Sequence, residues 1–124
     1  MSRVHLVFNT PSRFNNLFVV YIINQKYIDR PSVDVTYPFH QQFFGQPQNV
    51  TITADASSLS TSIQEVKFYV NDVYLSSDNS FPYEYNWSIP SNGEYTVTAW
   101  AVDGDGWHNV SDEIKIYAGE IDIT

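Results

Sequence analysis

The sequence contains no cysteine, which excludes disulfides, thiolate nucleophiles and metal sites built on cysteine. Basic residues are also scarce: 6 Lys and Arg stand against 14 Asp and Glu, and the net charge is −8. This balance argues against binding nucleic acid through its phosphates and against docking on an anionic membrane. Glycine, with 5 residues, is too sparse for a phosphate-binding loop. The longest apolar run, residues 17–23, is far shorter than the roughly 20 residues that cross a bilayer as a helix.

The residues that are present are typical of one folded domain. The 124 residues match the ordinary size of a domain, and two domains would each be too small to bury a good core. Hydrophobic residues make up 43% of the chain and aromatic residues 16%, so the chain is not a disordered tail.

The charges divide the chain near Arg30 and Pro31. Residues 1–30 carry four bases and one acid, a net charge of +3, whereas residues 31–124 carry two bases and thirteen acids, a net charge of −11. We therefore predict a domain over residues 31–124, preceded by an extension over residues 1–30. The apolar segments of this extension are extra β segments accepted by a sheet edge, the remnant of an apolar leader, or a relic of a longer upstream protein.

Apolar and polar residues alternate in six segments of the predicted domain. A period of two is the signature of half-buried β-strands, and no segment shows a helical period with a cap. The segments are 33–37, 50–54, 66–70, 83–87, 95–101 and 114–116. Turn-forming residues separate them at 71–72, 77–80, 90–93 and 103–106. This spacing predicts an all-β antiparallel sandwich or barrel.

The shared phase of the alternation predicts which side chains face the core, because a slip of one residue would expose them all. These side chains are Val50, Ile52, Val66, Phe68, Tyr85, Trp87, Tyr95, Val97, Ala99 and Ile114. Tyr95 follows the glycine turn at the start of a long, late strand. That is the position of a tyrosine corner, in which the hydroxyl bonds to upstream backbone.

Four segments, 49–56, 63–71, 81–87 and 93–103, match in order and spacing strands B, C, E and F of a known family. Residues 33–118 thereby resemble the bacterial immunoglobulin-like modules of secreted carbohydrate-active enzymes and cell-surface proteins. The resemblance implies an immunoglobulin-like antiparallel β-sandwich of about seven strands and an extracellular or cell-surface location. It also implies a role in spacing, scaffolding or adhesion without catalysis. A serine-rich stretch at 57–62 replaces the Asp-Gly turn that the family often has, and residues 1–30 have no counterpart.

The sequence offers no catalytic pattern. Its histidines, His5, His40 and His108, are dispersed, and no motif places a serine and an aspartate beside any of them. The spacing of a zinc-binding helix is missing, and no pair of carboxylates stands out as a glycosidase pair. We therefore predict that the chain is not an enzyme.

The Asp-Gly-Asp-Gly turn at 103–106 is the most chemically suggestive stretch of the chain. Carboxylates at alternate positions offer hard oxygens on a flexible backbone, which suits calcium. Strands B and F of the implied sandwich end at the same pole, which brings Asp55 near Asp103 and Asp105. These three aspartates are candidate calcium ligands. The alternative is an ordinary Asp-Gly hairpin turn that needs no metal.

Aromatic residues provide the second candidate site. Tyr69 and Trp100 fall on the outward phase of their strands, and Trp107 lies in the adjacent turn. Exposed Tyr and Trp rings at one place suggest a stacking platform for sugar rings, since apolar surface patches often mark binding sites. The alternatives are packing against a neighbouring domain or partner, or no specific contact, because single exposed aromatics are common.

The leading hypothesis is a non-catalytic module that spaces, scaffolds or presents other domains of a secreted or cell-surface protein. Its partners would be neighbouring domains or surface proteins, with neither nucleic acid nor a membrane span involved. The alternative is an adhesion module that binds carbohydrate or protein through exposed aromatics or a sheet edge.

Overall fold

A computed structural model describes residues 30–120, and every regular element in that range is a β-strand. The nine strands are β1 (Ser32–Tyr37), β2 (Gln42–Phe44), β3 (Asn49–Ser57), β4 (Ile63–Val70), β5 (Val73–Asp78), β6 (Tyr83–Ser88), β7 (Gly93–Asp103), β8 (His108–Val110) and β9 (Ile114–Ala118). In this described range no helix is long and apolar enough to cross a membrane. The extension predicted for residues 1–30 lies outside the described residues except for Arg30.

The strands form two sheets that pack face to face, as expected for a sandwich. The smaller sheet has the order β1-β3-β6, and the larger has the order β2-β9-β7-β4-β5, with β8 also paired to β7. All neighbouring pairs are antiparallel except β2 and β9, which run parallel. The exception arises because the chain crosses from the smaller to the larger sheet between β1 and β2 and keeps its direction. The predicted two-sheet architecture is confirmed.

The core lies between the sheets and is built by the alternation that the sequence displays. Eight of the ten predicted core side chains are buried, and Tyr85 and Ile114 are partly buried and packed against them. Other buried hydrophobic residues are Val33, Phe44, Ala54, Val70, Tyr83, Ile89, Ala101, Ile116 and Ala118. The predicted phase of the strands is therefore correct.

The described range has nine strands where about seven were expected. The sequence-based prediction was wrong for β5. Residues 77 and 78 were assigned to a turn, but they complete β5. Asn71 and Asp72, with φ of 51° and 64°, form a two-residue turn that pairs Val70 with Val73. Positive φ at both central residues is the type I′ geometry that suits the twist of a hairpin. Strands β2 and β8, with three residues each, are too short to show a period.

Tyr95 forms the tyrosine corner that the sequence predicts. Its hydroxyl donates a 2.7 Å hydrogen bond to the backbone carbonyl of Ser91. Its ring is buried and meets the Trp87 ring edge to face at 5.2 Å. The corner thereby fixes the loop before β7 to the start of that strand.

The described chain enters and leaves the sandwich at opposite poles. At the entry pole the Asn109 side chain donates to the carbonyl of Pro31, and β8 pairs with the last part of β7. At the exit pole Ala118, the last residue of β9, pairs with Gly93, the first residue of β7. The full length of β7 thus separates the point where the described chain enters the sandwich from the point where it leaves.

The core assignment predicts a large loss of stability for Phe68→Ala. Phe68 is 0% exposed and stacks on Tyr85 with ring centroids 6.5 Å apart. Emptying such a site lowers the free energy of unfolding by about 3–5 kcal/mol, which denaturant titration measures. The matched control is Phe39→Ala, since Phe39 is 62% exposed, and it is expected to cost less than about 1 kcal/mol. Similar losses for the two variants would contradict the assignment.

Candidate functional site

The turn after β7 is organised around the carboxylate of Asp103. This side chain is completely buried, and its Oδ1 accepts hydrogen bonds from the backbone N–H groups of Asp105 and Trp107, each at 3.0 Å. The backbone N–H of Asp103 donates to the carbonyl of Trp107 at 2.9 Å. Oδ2 is buried and has no hydrogen-bond partner in the described range. One oxygen of the carboxylate therefore builds the turn, and the other is buried without a hydrogen-bond partner among the described residues.

Both glycines of the turn are required by its shape. A Cβ on Gly104 would lie 2.8 Å from the Thr61 Oγ1, so any larger residue would push against the loop between β3 and β4. Gly106 has a φ of +90°, which disfavours residues with a side chain. The Asp-Gly-Asp-Gly spacing is thus explained by the local fold alone.

The three predicted calcium ligands share a pole but do not converge. Val50, Ile52 and Ala54 point inward from β3, so Asp55 points outward and is exposed, opposite Asp34 on β1. Asp103 is buried between the sheets, and Asp105 is exposed in the turn. Within residues 30–120, no three Asp, Glu or His side chains are grouped in a way that holds a metal ion. Calcium binding at this turn stays a prediction.

Four rings form a continuous row across the outer face of the larger sheet, which we call the aromatic strip. In order from β5 to β8 they belong to Tyr74, Tyr69, Trp100 and His108. Successive ring centroids are 5.8, 5.8 and 5.3 Å apart. The structure therefore brings together two of the three predicted platform residues and adds two that were not predicted.

The rings of the aromatic strip are not coplanar. Trp100 lies nearly parallel to His108, at 13°, but is tilted by 43° from Tyr69, and Tyr69 is tilted by 67° from Tyr74. Thr98 lies on the same outer face and is only 7% exposed, so the strip covers part of its own sheet. Tyr74 is 52% exposed. The rings therefore do not form the flat, coplanar platform that stacking of several sugar rings would use.

Trp107, the third predicted platform residue, lies apart from the aromatic strip. The guanidinium of Arg30 sits over its ring, 4.9 Å from the centroid, which is a cation–π geometry. The same guanidinium donates to the carbonyl oxygen of His108 at 3.2 Å. Trp107 therefore helps to hold the chain at the entry pole.

The hairpin turn contains the signal that would have identified Tyr74. A two-residue type I′ loop fixes the register of its strands, so Tyr69 must pair with Tyr74 once Asn71 and Asp72 are recognised as the loop. No comparable signal identifies His108, because its place depends on the turn that Asp103 shapes.

The two described histidines are engaged in structural contacts at different places. The Nδ1 atom of His40 accepts a hydrogen bond from the backbone N–H of Lys115 at 3.1 Å. His108 stacks on Trp100, and His5 lies outside the described residues. At the exit pole Lys115 donates to Glu94 at 3.0 Å, and this hydrogen bond raises the pKa of Lys115 above its usual value.

Comparison with known sequences identifies the family. The sequence profile of the bacterial Ig domain matches residues 31–99, more than half of the chain. The chain belongs to the bacterial Ig domain family. The predicted resemblance is confirmed, and domains of this kind are generally accessory modules rather than catalytic ones.

Solved structures share the fold of this bacterial Ig domain. A fibronectin(III)-like module of CbhA from Clostridium thermocellum is 26% identical, with a TM-score of 0.66, over 74% of this chain and 100% of that one. An engineered protein is 21% identical, with a TM-score of 0.55, over 73% of this chain and 20% of that one. The endo-beta-1,4-mannanase from Thermotoga petrophila is 13% identical, with a TM-score of 0.59, over 93% of this chain and 25% of that one. A search of curated proteins finds no match.

The calcium prediction is tested by melting the wild type and Asp103→Asn in millimolar calcium and in EDTA. A ligand that binds only the folded state raises Tm, so on this prediction calcium raises the Tm of the wild type but not of the variant. The effect should fade as the pH falls toward about 4, because protonated carboxylates bind calcium poorly. Identical wild-type curves in the two solutions would remove calcium from this turn.

The same variant separates the two roles of the buried carboxylate. Asp103→Asn keeps an oxygen acceptor for the two N–H groups of the turn and removes a buried charge. In EDTA, the free energy of unfolding of this variant is therefore expected to equal or exceed that of the wild type. Asp103→Ala leaves both donors without their acceptor and is expected to lose about 1–3 kcal/mol.

Proposed function

We propose that this domain is a non-catalytic accessory module that spaces, stiffens or presents other domains of a secreted or cell-surface protein. The observation that carries the proposal is that the described residues enter and leave the sandwich at opposite poles. Arg30 lies at the entry pole, beside β8, and Ala118 lies at the exit pole, beside the first residue of β7. A domain of this shape holds its two neighbours along the chain on opposite sides.

The distance between the poles follows from β7. This strand has 11 residues, and at about 3.3 Å per residue it spans about 35 Å. It pairs with β4 on one side and with β8 and β9 on the other, so its length is fixed by hydrogen bonds along both edges. The buried core lies against its inward face. These features make the spacing rigid rather than adjustable.

The proposed location and context rest on the comparisons. The chain matches the whole of a module from CbhA and a quarter of a mannanase chain, which supports a place within a larger carbohydrate-active enzyme or surface protein. The partners in this proposal are the adjacent domains.

The spacing role predicts one long, narrow distance between the two poles. Because the chain has no cysteine, nitroxide labels can be attached at Ser32→Cys and Glu120→Cys of the full chain. Pulsed electron paramagnetic resonance should give a single narrow distribution at about 30–40 Å, set by the strand rise along β7. The control pair Ser57→Cys and Asp105→Cys, at the entry pole, should give a clearly shorter distance. A broad distribution, or equal distances for the two pairs, would contradict the proposal.

The proposal also predicts that the purified chain turns over no glycoside, ester or peptide substrate above background. General acid–base catalysis needs a titratable group within about 3 Å of its proton, and the imidazoles of His40 and His108 are committed to backbone and ring contacts. Turnover that disappears in His40→Ala or His108→Ala, with the circular dichroism spectrum unchanged, would overturn the proposal.

A second candidate function is adhesion through the aromatic strip, which the row of partly exposed rings favours. Rings of this kind bind sugars by stacking and partner proteins by packing. On this alternative, insoluble polysaccharide retains the wild-type chain and releases Trp100→Ala, whereas Trp107→Ala is retained because Trp107 lies outside the strip. Equal elution of all three chains, or release of both variants, would count against sugar binding by the strip.

A further inference from the structure

The chain enters the sandwich through Arg30 and Pro31, and both residues are held by the hairpin between β7 and β8. The Arg30 guanidinium lies over the Trp107 ring, 4.9 Å from its centroid, and donates to the carbonyl oxygen of His108 at 3.2 Å. The Asn109 side chain donates to the carbonyl oxygen of Pro31 at 3.0 Å. We call these residues, Arg30, Pro31, Trp107, His108 and Asn109, the entry clamp.

The backbone that the clamp holds has little freedom of its own. The ring of Pro31 fixes the φ angle of that residue, and its side chain is fully buried. A residue that precedes proline is restricted to extended conformations, so Arg30 has a narrow range of φ and ψ. The contacts of the clamp therefore select one direction from few, and little conformational entropy is lost when they form.

The hairpin that supplies these contacts is itself fixed to the sandwich. His108 and Asn109 belong to β8, which pairs with β7, so their backbone is held in the larger sheet. In the turn between the two strands, the backbone N–H of Gly104 donates to the carbonyl oxygen of Ser62 at 2.9 Å. The hairpin therefore moves only if hydrogen bonds to the rest of the domain break.

Asp103 fixes the backbone of Trp107 from inside the domain. Its Oδ1 accepts a hydrogen bond from the backbone N–H of Trp107 at 3.0 Å, and its own N–H donates to the carbonyl oxygen of Trp107 at 2.9 Å. Both backbone polar groups of Trp107 are thus engaged by one residue, which sets the point from which the indole ring projects. Because Asp103 is completely buried, water does not compete for these bonds.

We propose that the entry clamp makes the joint in front of the sandwich stiff, so that the preceding chain enters in one fixed direction. Trp107 is the seat of the Arg30 guanidinium, and Asp103 is the positioning residue that holds this seat through the backbone of Trp107. The inference rests on the spacer function proposed above. It adds a fixed direction at the entry pole to the fixed distance that β7 sets.

Backbone ¹⁵N relaxation of the full chain, which reports picosecond-to-nanosecond motion, tests the seat at the amide of residue 30. In the wild type its order parameter should be about 0.85, as in rigid backbone, and in Trp107→Ala it should fall toward the flexible range below about 0.6. Trp107→Phe keeps an aromatic face for the guanidinium and should keep the wild-type value. The amide of Ser32, in β1, is the internal control and should stay rigid in every protein.

Arg30→Ala removes the same contact from its exposed side, so it tests the seat without touching the core. It should loosen the amide of residue 30 as Trp107→Ala does. A flexible amide at residue 30 of the wild type, or an amide that is as rigid in Trp107→Ala and Arg30→Ala as in the wild type, would overturn the proposal.

A second pair of variants tests the positioning role of Asp103. Asp103→Ala removes the acceptor of the Trp107 N–H and should lower the order parameter at Arg30, whereas Asp103→Asn keeps an oxygen acceptor and should preserve it. The amide of Gly93, at the exit pole, should be unchanged in both variants, which separates this effect from a general loosening of the fold. Equal order parameters at Arg30 in the two variants would contradict the role of Asp103.

The pole-to-pole distance distinguishes a failure of the clamp from a failure of the spacer function. A narrow distance between the labels at residues 32 and 120, together with a flexible amide at Arg30, would overturn the clamp and leave the spacing role standing. A broad distance would overturn the spacing role itself, whatever the order parameter at Arg30.

Discussion

The register of β7 is the constraint on which the rest of the structure depends. Residues 97–103 of this strand pair with β4 along one edge, and residues 93–97 and 100–102 pair with β9 and β8 along the other. Tyr95, Val97, Ala99 and Ala101 point into the core, so a shift of one residue would replace this apolar face with threonines and Trp100. The hydrogen bonds along both edges and the burial of one face favour the same register. No other register of β7 satisfies both of them.

The features on which the proposals rest are all attached to that strand. The first residue of β7 marks the exit pole and its last residue, Asp103, builds the turn at the entry pole. Trp100 on its outward face joins the aromatic strip, which β5, β4 and β8 complete. The two poles, the Asp103 turn and the Trp100 ring of the aromatic strip are therefore held in a fixed relation by one strand.

The strands with a regular alternation can be predicted from the sequence, because one buried face imposes a period of two. Sequence reasoning missed β5, whose exposed Tyr74 and partly buried Leu75 and Ser76 show no such period. Topology alone predicts that Asp55, Asp103 and Asp105 lie at one pole, but the inward phase of Ala54 already implies that Asp55 points outward. The aromatic strip depends on the cross-strand register of four strands, and only the Tyr69–Tyr74 pair is fixed by a local turn.

Hydrogen exchange of the full chain tests the central role of β7 most directly. Backbone amides of Val97, Ala99 and Ala101 should exchange slowest, with opening free energies equal to the global free energy of unfolding from denaturant titration. Amides of the edge strands, such as Val35 in β1 and Phe43 in β2, should exchange sooner through local opening. If the β7 amides exchanged as fast as those of Val35 or Phe43, the account would be contradicted. The strand would then open locally, without unfolding of the rest of the sandwich.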